Sequence, residues 1–243
     1  MKKFLSVLAC VLVFYGTEAQ DSAAMKKHYL KVYSQSLNYN DAAAAINALQ
    51  NYIAVDNNTA YKDTLSILYF STKSYYSALL LAKEVYEAVP GNASAKARAA
   101  ECYDELGEPG EATRLFEEVV PVTKSPYHLY KLAVCQYQLK RIGEAERTAR
   151  MVIADTSSKN IGVAFTSMDG SVQAVRSNAA ASNLLGVLKM DAKDYAGAKK
   201  FFQDALTMHP EFAGAKGNLE VCDKNLKTPT KPTTKPAGTK PKG

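Results

Sequence analysis

The sequence predicts an all-α fold, an α-solenoid of about five helical hairpins with a β-hairpin insertion and a C-terminal capping helix. Three observations support this prediction. A segment centred on an alanine recurs along the chain, the apolar residues on both sides of it follow α-helical spacing, and one β-leaning stretch interrupts the series. Recurrence at a fixed period of roughly 20–50 residues is typical of stacked repeats, so the repeat decides the fold class.

The repeat is anchored on four alanines that are separated by 34, 33 and 53 residues: Ala78, Ala112, Ala145 and Ala198. Each alanine is followed by an apolar stripe at helical spacing, as in Phe116, Val119 and Val120. A second apolar helix precedes each alanine, and a short polar or glycine-containing turn joins the two helices. The repeating unit is therefore a helical hairpin.

These hairpins resemble the tetratricopeptide repeat family, in its exported or periplasmic bacterial type. The last copy carries the fullest set of the family's residues: Leu185, Gly186, Tyr195, Ala198, Phe202, Ala205 and Pro210. Small alanines let two helices approach closely, and the aromatic residue fills the gap that this leaves on the next unit. The resemblance implies stacked hairpins whose first helices line a concave, peptide-binding groove.

The predicted units span about 26–58, 59–92, 93–125, 126–159 and 179–212, within a repeat domain of 20–226. The helix-capping residues Asp41, Ser74, Ser125 and Asp194 agree with this division, and Ser125 precedes a proline suited to a first helical turn. A capping helix is expected over about 211–226. It would cover the apolar end of the stack and present a polar surface to water.

A β-hairpin is predicted over about 160–176, projecting from the solenoid. Two β-leaning runs, 161–166 and 171–175, flank the dipeptide Asp169-Gly170, which favours a two-residue turn. Two interpretations stay open at this point. The exposed strand edge accepts a partner's strand, or the hairpin covers a seam between repeats.

Residues 1–19 are interpreted as a signal peptide. A basic start, Met1-Lys2-Lys3, precedes an apolar run, and small residues before Gln20 suit cleavage at that point. The less favoured alternative is a lipoprotein with an acylated Cys10. Either interpretation predicts an exported protein, periplasmic or extracellular.

The C-terminal segment, 227–243, is expected to be disordered and rich in Lys, Pro and Thr. It contains five lysines and no acid, which leaves only +1 of the formal charge of +6 on residues 1–226. The near-neutral residues 1–226 lack the positive electrostatic potential that attracts phosphate backbones, so nucleic acid is not an expected partner. The tail itself suits weak contact with a membrane or cell wall.

Catalysis, metal binding and cofactor binding find no support in the sequence. The three cysteines beyond Cys10 are interpreted as buried apolar residues, and His28, His128 and His209 are isolated. Three acids of one helix, Glu101, Asp104 and Glu105, are interpreted as a solvated acidic face. We expect no enzyme and no cofactor.

The predicted function is a protein interaction scaffold that binds a peptide or protein segment in the groove. The predicted contact residues lie on the first helices of the hairpins: Ile67, Phe70, Tyr127, Tyr130, Val134, Tyr137, Asn183, Val187 and Met190. Tyrosine offers a large rigid contact area with one hydroxyl, and the four residues from 127 to 137 form a single helical stripe. The alternatives are an envelope tether, held through Cys10 or the basic tail, and an enzyme with a site invisible in sequence.

Overall fold

The computed structural model describes residues 21–166 and 170–227. The predicted signal peptide, Cys10, Asp169 and the tail from 228 onwards lie outside the described residues. The chain divides into two compact units between Lys140 and Arg141, and each unit is described by itself. Within the described residues, no helix is long and apolar enough to cross a membrane.

The first unit consists of seven helices among the described residues. Helix α1 runs from the first described residue to 38. The others are α2 (Ala42–Asp56), α3 (Thr59–Ser71), α4 (Tyr75–Ala88), α5 (Ala93–Glu105), α6 (Pro109–Thr123) and α7 (Pro126–Gln138). From α2 to α7 each helix packs on the next, which is the arrangement of stacked helical hairpins.

The second unit combines four α-helices with a small antiparallel sheet. Its elements are α8 (Ile142–Ala154), a 3-10 turn (Thr156–Asn160), β1 (Gly162–Thr166), β2 (Val172–Arg176), α9 (Ser177–Asp191), α10 (Tyr195–Met208) and α11 (Ala213–Lys227). Helix α9 packs on α8 and α10, and α11 packs on α10 and also contacts α9. The predicted fold class, helical hairpins with a β-hairpin insertion and a C-terminal helix, is confirmed.

The four repeat alanines, Ala78, Ala112, Ala145 and Ala198, are all completely buried, as the repeat predicts. The aromatic residues of the same pattern, Phe116 and Phe202, are equally buried. Small and large side chains thus meet across the helix contacts, as close packing of an interior requires.

An exposed ion pair repeats with the hairpins. Lys62 contacts Glu84 at 2.7 Å, and the pair recurs 34 residues later as Lys96 and Glu118 at 2.8 Å. Each pair joins the two helices of one hairpin. The repeat therefore extends from the core to the surface of the first unit.

The hairpin turns share one backbone geometry. A residue with positive φ closes the first helix of each hairpin: Asn40, Lys73, Gly107, Lys140 and Lys193. The next amide then bonds back to the helix, as where Ser74 N donates to Tyr69 O at 2.8 Å and Glu108 N donates to Tyr103 O at 2.8 Å. This is the Schellman pattern of a helix C-terminus. Only one of the five turns uses glycine.

The predicted caps are confirmed in part. Asp41 accepts a hydrogen bond from Ala44 N at 2.9 Å, and Asp194 accepts one from Gly197 N at 2.9 Å. Ser74 and Ser125 occupy the cap positions without a side-chain hydrogen bond to the helix. In α7 the proline of the first turn, Pro126, supports the helix start instead.

The β-hairpin lies against the second unit and does not project from it, which corrects that part of the prediction. Phe165 of β1 packs edge-to-face on Phe212 with ring centroids 4.7 Å apart. Gln173 of β2 donates to Glu211 O at 2.6 Å, and Arg176 donates to Met208 O at 2.8 Å. These contacts hold the sheet on the connection between α10 and α11, so they favour the interpretation of the hairpin as a cover within the unit.

Candidate functional site

Helices α3, α5 and α7 of the first unit lie side by side, because each contacts the next. Helix α4 packs on α3 and α5, and α6 packs on α5 and α7, so these two form a second layer. Six predicted contact residues lie in the first layer: Ile67 and Phe70 on α3, and Tyr127, Tyr130, Val134 and Tyr137 on α7. The structure therefore places these six in one layer of helices, in which α5 separates α3 from α7.

A network of charged and polar side chains joins α5 to α7. The Tyr127 hydroxyl donates to Glu101 Oε2 at 3.1 Å, and Lys131 forms an ion pair with Asp104. The Lys131 ammonium also lies 3.7 Å from Glu105. We call the surface formed by these residues the α5–α7 face: Glu101, Asp104 and Glu105 of α5, and Tyr127, Lys131, Val134 and Tyr137 of α7.

The network continues from α5 to α3. Arg98 forms an ion pair with Asp63 and donates a second hydrogen bond to Ser66 Oγ at 2.9 Å. The guanidinium is mostly buried, and pairing with a carboxylate offsets part of the cost of that burial. One row of polar contacts thus crosses all three helices.

Burial sets the pKa values on the α5–α7 face. It raises the pKa of Glu101, although Tyr127 and then Lys131 lower it in part. Burial also lowers the pKa of His128, which lies 3.7 Å from Glu101. Burial opposes the charge of Lys131, yet Asp104 and then Glu105 raise its pKa overall. The ammonium therefore stays charged at neutral pH.

The interpretation of the three acids as a solvated face is wrong for two of them. The side chain of Asp104 is only 8% exposed and that of Glu101 only 15%, whereas that of Glu105 is 40% exposed. The cause lies one repeat further on, because α7 places Tyr127 and Lys131 over the carboxylates of α5. Of the three acids, Glu105 is the most accessible to solvent.

The predicted contact residues of α3 and α7 differ in accessibility. Ile67 is 48% exposed, and Tyr127, Val134 and Tyr137 are partly exposed. Phe70 packs against the core of the unit. Tyr130 is only 8% exposed, so it offers little surface to a partner.

The three predicted contact residues of α9 belong to the second unit. Asn183 is 4% exposed and accepts a hydrogen bond from Asn218 of α11 at 3.0 Å. Val187 and Met190 pack against a buried cluster that contains Phe202. In this unit the residues hold α9 to its neighbours.

Arg98, Glu101, Asp104 and Lys131 were missing from the predicted site. A usable signal existed, because Tyr127 and Lys131 are four residues apart on one helix, as are Glu101 and Glu105. When two such pairs lie on the first helices of successive hairpins, the polar side chains of one helix are expected to face those of the other once the register between the hairpins is known.

A small cleft lies in the second unit between α8, α9 and α10. Its volume is about 260 Å³, and it is lined by apolar residues together with the polar Arg150, Ser182 and Asp204. Binding sites for small molecules usually measure about 300–1,000 Å³. This cleft has room for one or two side chains.

Comparison with known proteins identifies the repeat. Residues 69–128 match the family model described as tetratricopeptide repeat. No curated protein matches the sequence.

Solved structures share the fold at low sequence identity. MamA from Desulfovibrio magneticus RS-1 has 12% identity and a TM-score of 0.63, with 78% of this chain and 97% of that chain covered. YrrB, described as a TPR protein with an unusual peptide-binding site, has 13% identity and a TM-score of 0.63, with 79% of this chain and 90% of that chain covered. A tetratricopeptide repeat protein from Parabacteroides merdae ATCC 43184 has 13% identity and a TM-score of 0.65, with 84% of this chain and 74% of that chain covered.

Proposed function

We propose that this chain, which carries tetratricopeptide repeats, is a protein-interaction scaffold that holds an extended segment of a partner on the α5–α7 face. One observation carries the proposal. The partly exposed Tyr127 hydrogen-bonds to Glu101, so an aromatic ring and a carboxylate stand together on adjacent helices. Such a pair combines apolar contact with a directional acceptor, and tyrosine is enriched among the residues that dominate binding energy.

The neighbouring residues extend this surface. Val134 and Tyr137 continue the stripe of Tyr127 along α7, and Ile67 adds an exposed apolar side chain on α3. The likeness of the fold to YrrB, whose description includes a peptide-binding site, supports a bound segment as the kind of partner. An extended segment suits the face because it can contact the two adjacent helices, α5 and α7, at once.

Site-specific photo-cross-linking tests the proposal. A photoreactive amino acid replaces Tyr137 in the full chain, which is then irradiated in extract of the native cell and analysed by mass spectrometry. We expect one partner to cross-link through one short segment, and Tyr127→Ala or Ile67→Ala to lower the yield. The buried Tyr130 is unsuitable, because its truncation would disturb packing.

The control places the same photoreactive residue at Tyr76, which is 65% exposed on α4 in the other layer. This position should not capture the partner. Equal capture from positions 76 and 137, or a yield that neither truncation changes, would rule out the α5–α7 face as the binding surface.

Export belongs to the same proposal. It is supported by the basic start, apolar run and small residues of 1–19, which are typical of a signal peptide. Mass spectrometry of the mature N-terminus tests it. A chain that begins at Gln20 supports a released protein, a lipid-modified Cys10 supports the tether alternative, and a retained Met1 with residues 2–19 contradicts both.

A further inference from the structure

We propose that strand β1 of the β-hairpin, Gly162–Thr166, pairs with the same strand of a second copy of this chain, so that two hairpins form one four-stranded antiparallel sheet. The strand belongs to the second unit and takes no part in the proposed function. The free hydrogen-bonding groups of its backbone, its composition and its match to itself each support the pairing.

The register of the hairpin determines which backbone groups are bonded within it. β1 and β2 are antiparallel with Val163 opposite Val175, and just beyond the strands Ser177 N donates to Ile161 O at 2.8 Å. Bonded and non-bonded positions alternate in an antiparallel pair, so Ile161, Val163 and Phe165 turn their N–H and C=O groups towards β2. The backbone groups of the alternate residues of β1 therefore point away from β2: Gly162, Ala164 and Thr166.

These outward groups are available to another strand. Gly162, Ala164 and Thr166 are exposed, and among the residues that the structure describes their N–H and C=O groups have no hydrogen-bond partner. An unpaired strand edge is a template for a further strand, and a two-stranded sheet gains stability when strands are added to it. Since each residue has one backbone donor and one acceptor, the edge offers three donors and three acceptors.

The composition of β1 leaves its edge unprotected. Its sequence, Gly-Val-Ala-Phe-Thr, contains no charged residue and no proline, and these are common means of preventing the addition of a strand. The β2 edge differs, because its outward residue Arg176 is charged and donates to Met208 O at 2.8 Å, on the connection between α10 and α11. Of the two edges, that of β1 is therefore the better site for a further strand.

Antiparallel pairing of β1 with itself satisfies every outward group. A two-fold axis at Ala164 places this residue opposite its own copy and places Gly162 opposite Thr166 of the second copy. Each opposed pair exchanges two hydrogen bonds, so all donors and acceptors of the two edges are used. The small side chains of Gly162 and Ala164 leave room for the second strand.

The charges of the hairpin are compatible with this pairing. Among the described residues of 159–176, only Lys159 and Arg176 are charged, and both lie at the open end of the hairpin. Antiparallel pairing sets that end beside the Thr166 end of the second copy, so these cations do not face each other. The contact is small, and we therefore expect a weak dimer with a dissociation constant on the order of 100 µM.

Sedimentation equilibrium and hydrogen exchange of the full chain test the pairing. We expect a monomer at about 10 µM and mostly dimer at about 1 mM, as this dissociation constant requires. At the higher concentration the outward amides of a β1 peptide should exchange about fourfold more slowly in mass spectrometry, whereas a β2 peptide should be unchanged. A chain that stays monomeric at 1 mM, or protection of β2 without β1, would overturn the proposal.

Two variants of Ala164 test the position of the axis. Ala164→Lys brings two ammonium groups together there, and Ala164→Pro removes an outward N–H without affecting the bonds to β2, so each should raise the dissociation constant at least about tenfold. The control is Ala174→Lys, directly opposite Ala164 on β2 and equally exposed, which should change it less than about twofold. Circular dichroism checks that each variant is folded. Folded Ala164 variants that dimerise as the native chain does, or an equal effect of the control, would refute the pairing.

Discussion

The Tyr127 hydroxyl donates a hydrogen bond of 3.1 Å to Glu101, and the carboxylate that accepts it is only 15% exposed. The two residues belong to adjacent helices, α5 and α7, and to successive hairpins. A buried carboxylate depends on such donors, since burial alone disfavours its charged form. The pair therefore links the stability of the repeat stack to the surface proposed for binding.

Tyr127→Phe should destabilise the chain by about 1–3 kcal/mol, because it leaves a mostly buried carboxylate without one donor. Urea unfolding at pH 7, followed by circular dichroism, measures the loss. The control is Tyr76→Phe, which removes a hydroxyl from an exposed ring and should change the free energy of unfolding by less than about 0.5 kcal/mol. Equal effects would mean that the hydrogen bond contributes nothing to stability.

Glu101→Gln should change how stability depends on pH. In the folded chain burial raises the pKa of Glu101 above its ordinary 4.5, so the folded state binds more protons than the unfolded state between the two values. The stability that Glu101 contributes therefore falls as pH rises through this interval. Glu101→Gln removes that fall, so the stability of the variant relative to the native chain should increase from pH 4 to pH 7.

The neighbouring His128 acts in the opposite direction, because a pKa lowered by burial makes stability rise with pH. It is present in both proteins, so it largely cancels in the difference between them. Urea unfolding at several pH values provides the comparison, with Glu87→Gln as an exposed control. If the difference in free energy of unfolding between Glu101→Gln and the native chain stays constant across pH 4–7, the role given to Glu101 is contradicted.

The repeat determined much of the fold in advance. Ala78, Ala112, Ala145 and Ala198 were identifiable because a close helix contact admits only small side chains, and such positions recur with the period of the stack. The Lys62–Glu84 pair follows the same period, and the structure shows it again 34 residues later. Features that recur in every hairpin can therefore be predicted from a single sequence.

The contacts between different hairpins were not visible in the same way. Whether Glu101 meets Tyr127 depends on the register and angle between two helices, which neither helix encodes alone. The position of the β-hairpin likewise depends on Phe165 meeting Phe212, 47 residues further along the chain. Tyr130 shows the same limit, because its helical stripe could not reveal that neighbouring helices leave it 8% exposed.

Lys73→Gly and Lys193→Gly should each stabilise the chain by about 0.5–1 kcal/mol. Both lysines have φ of 61°, in the left-handed region that costs about 1–2 kcal/mol for a residue with a Cβ atom, and glycine avoids this cost at some expense in chain entropy. Thermal unfolding measures the gain. Lys83→Gly, inside α4, is the matched control and should destabilise by about 1 kcal/mol. Destabilisation by the turn variants would contradict this account of the turns.

Gly186→Ala should destabilise the second unit, whereas Gly217→Ala should not. A Cβ atom at Gly186 would lie 2.4 Å from the ring of Phe202, which is completely buried and cannot move without disturbing its neighbours. Overpacking of this kind typically costs about 1–3 kcal/mol. At Gly217, inside α11, a Cβ atom would meet nothing within 4 Å, so alanine should stabilise the helix by up to about 1 kcal/mol. Urea unfolding of the two variants, identical in the atoms added, therefore gives shifts of opposite sign. Equal shifts would show that the close approach of Phe202 does not restrict position 186 to glycine.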